Sequence, residues 1–461
     1  MKKWKTNMFS LVLLSSGILF YLFFTFLDGP QICVDTPTYI YMESSREPLY
    51  PLLLAFLRGV TGELQTGENY LWITVILQGI LSAIAAWSMA VFLWRNLGLS
   101  KTVTTMIFSL PLAVSLLCRF VAQRRSMYSN SILTEGIAIS MYLLFFRFLL
   151  EYCLRRSKKS LMISALLCFF MISTRKQMIF SFVLLLLAIL YNSIKQKNLI
   201  YGIKTFAFCA VVIFGSNLLL DVGYNYLVRG EASTHTSDIR FVSTLAFYAA
   251  NREDGEKIDD SQIRELFYQI YDACDEKGYL KHSAGEGWSA REAHFSDYYD
   301  CIQIDTMWPA VNRFVTENYD CKDSQISEYA DEVMKTISKA VIPGNMISVI
   351  QVFMDNFRAG LVGTVAQRNP LLDWYAVLIY LLYMGLLFLC MKKKCRQEIL
   401  VFAGMTIASI MLNVGLVSLV IFCQIRYTIY NMALFYISML LMIDALFFRK
   451  ENSNETIFRN S

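Results

Sequence analysis

Residues 161–194 read LMISALLCFFMISTRKQMIFSFVLLLLAILYNSI, an apolar stretch interrupted by the polar run STRKQ. These 34 residues are too many for one helix across a membrane, because about 20 residues already span some 30 Å of hydrocarbon. Strongly basic residues flank the stretch on both sides, and such residues favour the cytoplasmic face. The pattern predicts a helical hairpin with spans at about 161–174 and 178–194, and with Arg175 and Lys176 at its outer turn.

The composition of the whole chain agrees with this interpretation. Of its 461 residues, 56% are hydrophobic and 17% are charged, whereas a soluble domain needs more polar surface. The net charge of +5 is not a nucleic-acid signal, because the basic residues cluster in short connections between apolar runs. We therefore predict an all-α polytopic membrane protein with about ten transmembrane helices.

The apolar runs are each long enough to cross the hydrocarbon layer. The first follows a lysine-rich start like that of a signal peptide, but it is too long and lacks a small-residue cleavage site, so we expect an uncleaved anchor. The expected spans lie at about residues 8–27, 71–94, 102–118, 131–150, 161–174, 178–194, 205–222, 371–391, 399–421 and 427–447.

The basic connections predict the orientation of these spans. With the N-terminal lysines in the cytoplasm, alternation places five further basic clusters on the same side. Arg119, with Arg124 and Arg125, falls outside, which indicates either a wrong span or groups held there for use. The five clusters lie at residues 95–101, 155–159, 195–204, 392–396 and 449–450.

Residues 223–370 form one long stretch, here called the hydrophilic segment. It holds 23 acidic and 14 basic residues, a charge of −9 against +14 for the remainder, and the flanking clusters place it outside. Residues 261–271 have the apolar spacing of a helix, and 347–365 that of an interfacial helix. We expect an N-terminal transmembrane module (1–222), a mainly helical extracytoplasmic segment, and C-terminal helices with a short cytoplasmic tail (371–461).

The cysteines and histidines do not predict a metal centre. Eleven Cys are scattered without a CxxC pattern, and the chain has only three His. Cys274, Cys301 and Cys321 share the hydrophilic segment and either pair or remain free thiols. A divalent cation could bind acidic groups at the outer face, but no ligand spacing indicates one.

Ionisable residues from four connections are expected to gather at the outer face. Asp35 is the catalytic candidate, as a general base. The alternative is that Asp35, which precedes Pro37, serves only as a helix N-cap or turn carboxylate. Outer arginines suit phosphate oxygens but also lipid head groups, and outer tyrosines suit a sugar but also an interfacial belt. The candidates for substrate binding are Arg46, Glu135, Arg175, Lys176, Arg426, Tyr427 and Tyr39.

Five short motifs carry a family resemblance. They are Asp35-Thr-Pro-Thr-Tyr39, Arg46-Glu-Pro-Leu-Tyr-Pro51, Thr134-Glu135, Thr174-Arg175 and Arg426-Tyr427. In this order they resemble the GT-C-fold glycosyltransferases that use polyprenyl-phosphate-sugar donors, nearest the bacterial branch related to aminoarabinose and protein mannosyl transferases. The resemblance covers roughly residues 1–220 and the last two spans. Family members often have Asp-Glu or Asp-Ser in place of Asp35-Thr36, and Arg-Pro in place of Arg175-Lys176.

The resemblance implies a GT-C-like fold and an inverting sugar transfer at the outer face of the cell membrane. Asp35 would take a proton from the hydroxyl of a glycan, lipid or protein acceptor, which attacks the anomeric carbon of the lipid-linked sugar. Arg46, Arg175 and Arg426, with Lys176, would stabilise the departing polyprenyl phosphate. Glu135 would hold an arginine or a sugar hydroxyl.

Two other functions are compatible with this topology. A cell-surface oligosaccharide polymerase or ligase also has many spans and one large outer loop, and loss of activity on changing Arg229 or Arg240 would favour it. A lipid-linked sugar flippase is the non-enzymatic alternative. Ion-coupled transport usually needs ionisable groups at mid-membrane, where this sequence has almost none.

Overall fold

A computed structural model describes residues 2–63, 67–121, 125–367 and 369–448. In these ranges the regular elements are helices, apart from one isolated parallel bridge between Gln31 and Ser131. Within this described part of the chain ten helices are long and apolar enough to cross a membrane, so the predicted all-α polytopic class is confirmed. Arg124 and the basic cluster at 449–450 lie outside the described residues.

The helices run along nearly the whole described chain. They are α1 Lys2–Asp28, α2 Thr36–Ile40, α3 Leu49–Thr61, α4 Asn69–Leu97, α5 Lys101–Val121, α6 Glu135–Arg155, α7 Lys158–Thr174, α8 Phe180–Lys195, α9 Leu199–Arg229, α10 Ile239–Ala249, α11 Ser261–Glu276, α12 Trp288–Asp300, α13 Trp308–Asn318, α14 Ile326–Val341, α15 Met346–Val365, α16 Pro370–Lys392, α17 Gln397–Ser418, α18 Ile425–Thr428 and α19 Met432–Ile443.

The long apolar helices match nine of the ten predicted spans. The predicted span at 161–174 corresponds to α7, which has only 17 residues. The tenth long apolar helix is instead the continuous run Ile326–Val365, whose second half is α15. The sequence predicts only an interfacial helix at 347–365, because the apolar character is concentrated after residue 346.

The predicted hairpin is present. Helix α7 ends at Thr174, Arg175 has an extended backbone, and a short turn at Lys176–Ile179 leads into α8. Extended backbone at Arg175 breaks the helical hydrogen-bond ladder, which lets the chain reverse. The hairpin therefore holds Arg175 at one end of the bundle.

Helix α4 lies at the centre of the N-terminal helices and packs against α1, α3, α5 and α6. Its buried face is rich in small residues, including Ala83, Ala86 and Ala90, which allow helices to approach closely. Helix α6 continues the bundle to α7, α8 and α17, and α5 contacts α19. The N-terminal and C-terminal helices thus pack into one bundle.

Four of the basic clusters meet at the end of the bundle away from Arg175. Arg155 hydrogen-bonds the side chain of Asn96, and Lys195 donates to Gln397 Oε1 at 3.1 Å. Arg396 donates to the carbonyl of Leu97 at 2.9 Å. These contacts place the clusters on a common side, as the alternation of spans requires.

Arg119, the basic residue expected on the opposite side, forms a bidentate ion pair with Asp28 at the end of α1 (Nε–Oδ2 2.9 Å, Nη2–Oδ1 2.7 Å). The pair ties α5 to α1. This ion pair between two helices accounts for a basic residue at the end of the bundle opposite to the other basic clusters.

The hydrophilic segment builds its own core from α10 to α14, with Phe247, Phe267 and Ile302 fully buried. The helix expected from residue 261 onward is confirmed as α11. A bidentate ion pair between Arg291 and Asp355 joins α12 to α15 (2.7 and 3.0 Å). The cysteines of the segment, Cys274, Cys301 and Cys321, are free thiols.

Candidate functional site

The first loop is pinned against the chain just before α6. Thr36 Oγ1 accepts from the Cys33 amide at 2.8 Å and donates to the carbonyl of Ile132 at 2.9 Å. The Ile132 amide in turn donates to the carbonyl of Gln31 at 3.0 Å. These bonds keep residues 131–134 out of the helix, so that α6 begins at Glu135 and not at the predicted 131.

The buried side chain of a glutamine on α4 stabilises this junction. Gln78 on α4 donates to the carbonyls of Ser129 and Ser131 (2.9 and 3.1 Å) and accepts from the Tyr50 hydroxyl at 2.9 Å. Tyr50 lies in the first turn of α3, whose N-cap is Pro48. A single side chain thus fixes the first loop's helix and the start of α6 relative to α4.

Asp35 stands at the N-cap of α2, but its side chain makes no capping bond. It binds two arginines instead: Arg46 Nη2 lies 2.9 Å from Oδ1, and Arg426 Nη1 lies 3.1 Å from Oδ2. Burial would raise the pKa of Asp35, but the two guanidinium groups outweigh it and hold the pKa below its ordinary value. Asp35 is therefore ionised at neutral pH.

Glu135 and Arg175 form a second ion pair, with Arg175 Nη1 2.5 Å from Glu135 Oε1. The side chain of Glu135 is only 2% exposed and that of Arg175 is 14% exposed. Arg426 Nε lies 3.9 Å from the same Glu135 oxygen. Arg426 consequently bridges the two acids, and one contiguous cluster joins Asp35, Arg46 and these three residues.

The rings of two tyrosines lie against the guanidinium groups of the three arginines. The Arg46 guanidinium lies 4.8 Å from the ring centroid of Tyr39, while Arg175 and Arg426 each lie 4.9 Å from that of Tyr427. Both tyrosines are buried within the protein, at 5% and 6% exposure, so neither belongs to a lipid-facing belt. Their rings hold the guanidinium groups in place through cation–π contact.

Lys176 does not join this cluster, although it is adjacent to Arg175 in sequence. Its ammonium contacts Asp238 and lies 2.8 Å from His235 Nε2, and its amide donates to Glu47 Oε1 at 3.1 Å. The direction of the chain after the hairpin turn sends the two side chains apart. Lys176 thus links the hairpin to the hydrophilic segment.

The same contacts create a group of possible metal ligands. Ligand atoms of Glu47, His235 and Asp238 lie within 4.8 Å of one another, and Asp221 Oδ2 lies 2.8 Å from His235 Nδ1. Two carboxylates and an imidazole suit a divalent cation, and a carboxylate behind the imidazole is a common orienting partner. The Lys176 ammonium already provides a positive charge at this place, so a cation would have to displace it.

Two charged residues of the hydrophilic segment interact electrostatically with the cluster, and the sequence had placed neither of them there: Arg240 was named only for the alternative polymerase or ligase. Arg240 on α10 lies within electrostatic range of Arg46 and Asp35. Asp300, at the exposed end of α12, has a pKa raised by partial burial, with Arg426 opposing and Asp35 adding to the shift. No local motif marks either residue among the many charges of that segment.

Comparison with protein-family models gives no match for the chain, and a search of curated proteins gives none either.

The cluster is suited to bind an anion. Arg46, Arg175 and Arg426 carry three positive charges against the two negative charges of Asp35 and Glu135. Guanidinium groups present several N–H donors in a plane, the geometry that phosphate oxygens accept. An ionised carboxylate lies beside this positive charge, so the cluster combines an anion site with a proton acceptor.

Proposed function

We propose that the protein is an inverting glycosyltransferase that moves a sugar from a polyprenyl-phosphate donor to an acceptor hydroxyl at the outer face of the membrane. The observation that carries the proposal is the position of Asp35, an ionised carboxylate held between Arg46 and Arg426. A group that accepts a proton and groups that bind a phosphate are both needed within the reach of one sugar.

In the proposed reaction the acceptor oxygen attacks the anomeric carbon on the face opposite the phosphate. A new carbon–oxygen bond forms, the bond between that carbon and the phosphate oxygen breaks, and the configuration inverts. Asp35 takes the hydroxyl proton, and the electron pair of the broken bond leaves with the polyprenyl phosphate. The partners are thus the lipid-linked donor and a hydroxyl-bearing acceptor.

Asp35 keeps the capacity to act in this way despite its two ion pairs. Each carboxylate oxygen can accept two hydrogen bonds, and each accepts one from an arginine. The side chain is 29% exposed, which leaves room for a hydroxyl. The lowered pKa makes Asp35 a weaker base but ensures that it is ionised.

The arginines would stabilise the charge that develops on the leaving phosphate. Arg46 and Arg426 are held by Asp35, and Arg175 is held by Glu135. Donors that are already oriented stabilise a transition state without the cost of reorganising. Glu135 therefore acts on the substrate indirectly, by positioning Arg175.

The test is sugar transfer by the purified protein with Asp35→Asn and, as a matched control, Glu43→Gln. Glu43 is an exposed carboxylate of the same loop. Loss of a general base reduces rates by about 10²–10⁴. We expect that loss for Asp35→Asn, with donor binding retained, and little change for Glu43→Gln. Full transfer by Asp35→Asn would refute the assignment of the base.

A polymerase or ligase is the second candidate, because Arg240 of the hydrophilic segment lies near Arg46 and Asp35. Loss of activity on changing Arg240 therefore does not separate the two enzymes, contrary to the expectation from sequence. The product does separate them. Transfer of one sugar per acceptor supports the glycosyltransferase, whereas transfer of a whole chain of sugars from the lipid supports the polymerase or ligase.

A further inference from the structure

Gln177, two residues after Arg175 in the hairpin turn, uses both ends of its side-chain amide on neighbouring residues. Its Nε2 donates to Asn413 Oδ1 and to the carbonyl of Tyr427, both at 2.8 Å, and its Oε1 accepts from Arg175 Nε at 3.0 Å. An amide turned the other way would set Nε2 against the N–H of Arg175 and Oε1 against two oxygens. The three contacts therefore agree on one orientation of the amide.

Asn413 anchors this amide to the C-terminal helices. It lies on α17, is fully buried, and donates from Nδ2 to the same carbonyl of Tyr427 at 2.9 Å. Asn413, Gln177 and the Tyr427 carbonyl thus form a closed ring of three hydrogen bonds. A buried amide that loses its partners costs free energy, so each member of the ring keeps the others in place. Gln177 therefore has a fixed position with respect to the segment that carries Arg426.

Arg175 is held at two of its three guanidinium nitrogens. Gln177 binds Nε, and Glu135 Oε1 lies 2.5 Å from Nη1, where Thr134 Oγ1 adds a contact at 3.4 Å. The third nitrogen, Nη2, is hydrogen-bonded by no described residue and is not buried from water. Contacts at Nη1 alone would leave the guanidinium free to turn, whereas the additional contact at Nε fixes its plane. Gln177 therefore determines where the two free N–H groups of Nη2 point.

We propose that Gln177 is a positioning residue of the cluster, which holds Arg175 so that Nη2 donates to the phosphate that leaves with the lipid. The phosphate of a lipid-linked sugar is a diester with one negative charge. Once the sugar has departed, the phosphate is a monoester that carries about two charges near pH 8. A donor in a fixed position therefore stabilises the departing phosphate more than the bound substrate. This role rests on the proposed function, because it assumes that a phosphate leaves.

The first test compares two probes that need no sugar transfer, a short-chain polyprenyl phosphate and its methyl ester, in detergent micelles at about pH 8. The probes differ by one negative charge, as the departing phosphate and the bound donor do. We expect the wild type to bind the phosphate more tightly than the ester, and Gln177→Met to reduce this preference about tenfold. An undiminished preference in Gln177→Met would overturn the proposal, and so would a wild type without such a preference.

The matched control is Asn192→Leu. Asn192 is a buried amide on α8, the helix that follows the hairpin turn, and it donates to the carbonyl of Tyr152 at 2.9 Å. It lies about 20 Å along α8 from that turn, at the opposite end of the bundle. Asn192→Leu should lose stability but keep the preference of the wild type. An equal loss of the preference in this control would mean that general destabilisation causes it, and the proposal would fail.

A double variant tests whether Gln177 acts through Arg175. In the Arg175→Met background, adding Gln177→Met should change the preference for the phosphate little, because the group that Gln177 positions is already gone. The full tenfold effect of Gln177→Met in that background would show that Gln177 acts by another route, and it would overturn the positioning role.

Kinetics of sugar transfer separate this proposal from the proposed function. With the polyprenyl-phosphate sugar that the wild type transfers, Gln177→Met should lower kcat by about 10–100-fold and change KM little. A raised KM with an unchanged kcat would contradict the positioning role. If the wild type transfers no sugar but Gln177→Met still lowers the preference for the phosphate, the positioning of Arg175 stands and the glycosyltransferase fails. If the wild type transfers sugar and Gln177→Met keeps both the preference and kcat, the positioning role alone fails.

Discussion

The ion pair between Glu135 and Arg175 gives the sharpest prediction about stability. Glu135→Gln removes a negative charge from a side chain that is 2% exposed, and it leaves Arg175 without a carboxylate. The remaining partners of Arg175 are Gln177 Oε1 at 3.0 Å, Thr134 Oγ1 at 3.4 Å and the ring of Tyr427. These neutral groups offset only part of the charge.

The magnitude follows from the burial of the pair. Removing one partner of a buried ion pair costs about 3–5 kcal/mol, because the other charge is left uncompensated. We expect that cost for Glu135→Gln. Arg175→Gln should cost less, roughly 1–3 kcal/mol, since Glu135 still has Arg426 Nε at 3.9 Å. The double variant should cost less than the sum of the two, with a coupling of about 2 kcal/mol.

The assay is reversible unfolding of the purified protein in mixed detergent micelles, with the free energy of unfolding taken for the wild type, both single variants and the double variant. Arg252 and Asp272 provide the control cycle. They form a bidentate pair at 2.8 and 3.0 Å, but their side chains are 58% and 50% exposed. Exposed pairs contribute little, so this cycle should show almost no coupling.

Two results would refute the reasoning about Glu135. One is a free energy of unfolding for Glu135→Gln within about 1 kcal/mol of the wild type, which would mean that the charge of Arg175 is met in another way. The other is a larger cost for Arg175→Gln than for Glu135→Gln, because the asymmetry follows directly from the contact with Arg426.

Three further predictions follow from the same contacts. Gln78→Leu leaves two buried carbonyls and the Tyr50 hydroxyl unpaired, so the free energy of unfolding should fall by about 2–4 kcal/mol; a change under 0.5 kcal/mol would show that these groups find other partners. The pKa of Asp35 is lowered in the folded state, so its ion pairs stabilise the protein fully above the ordinary pKa of 3.8, and this stabilisation is lost as the pH falls through the lowered pKa. In Asp35→Asn the unfolding midpoint should therefore fall less steeply at acid pH than in the wild type. An equally steep fall in the variant would argue against these ion pairs. Asp355→Asn breaks the bidentate pair with Arg291, so amide hydrogen exchange should be faster than in the wild type in α12 but not in α1. An exchange rate in α12 equal to that of the wild type would show that other contacts hold α12 in place.

The hairpin and the spans were predictable because membrane insertion depends on local hydrophobic length. The break between α7 and α8 is visible in the polar run after residue 172, and the flanking basic residues require both ends on one side. The helix at Ile326–Val365 was not recognised as long and apolar, because its first half is amphipathic and carries charges such as Asp331 and Lys335. Hydropathy alone does not show that the two halves are continuous.

The composition of the cluster was only partly predictable. Topology placed Asp35, Arg175 and Arg426 at one face, since each lies in a connection between spans on the same predicted side. It equally placed Lys176 there, yet that residue contacts the hydrophilic segment instead. Contact between charges is decided over a few ångströms, while topology only assigns a side of the membrane. Arg240 was named only for the polymerase or ligase alternative and could not be assigned to the cluster, because no motif surrounds it in the sequence.

The amino-acid sequence by itself determined the class of this protein, the approximate position of most of its helices and the shared side of its basic clusters, because hydrophobic length and the placement of lysine and arginine are local properties. Only the tertiary structure decided which charges meet. Asp35 and Arg426 are 391 positions apart and come within 3.1 Å because α5 and α19 close the bundle and the first loop is pinned at α6. Electrostatic interaction in a shielded site falls steeply with distance and exposure, so the packing of distant helices determines which residues form the site.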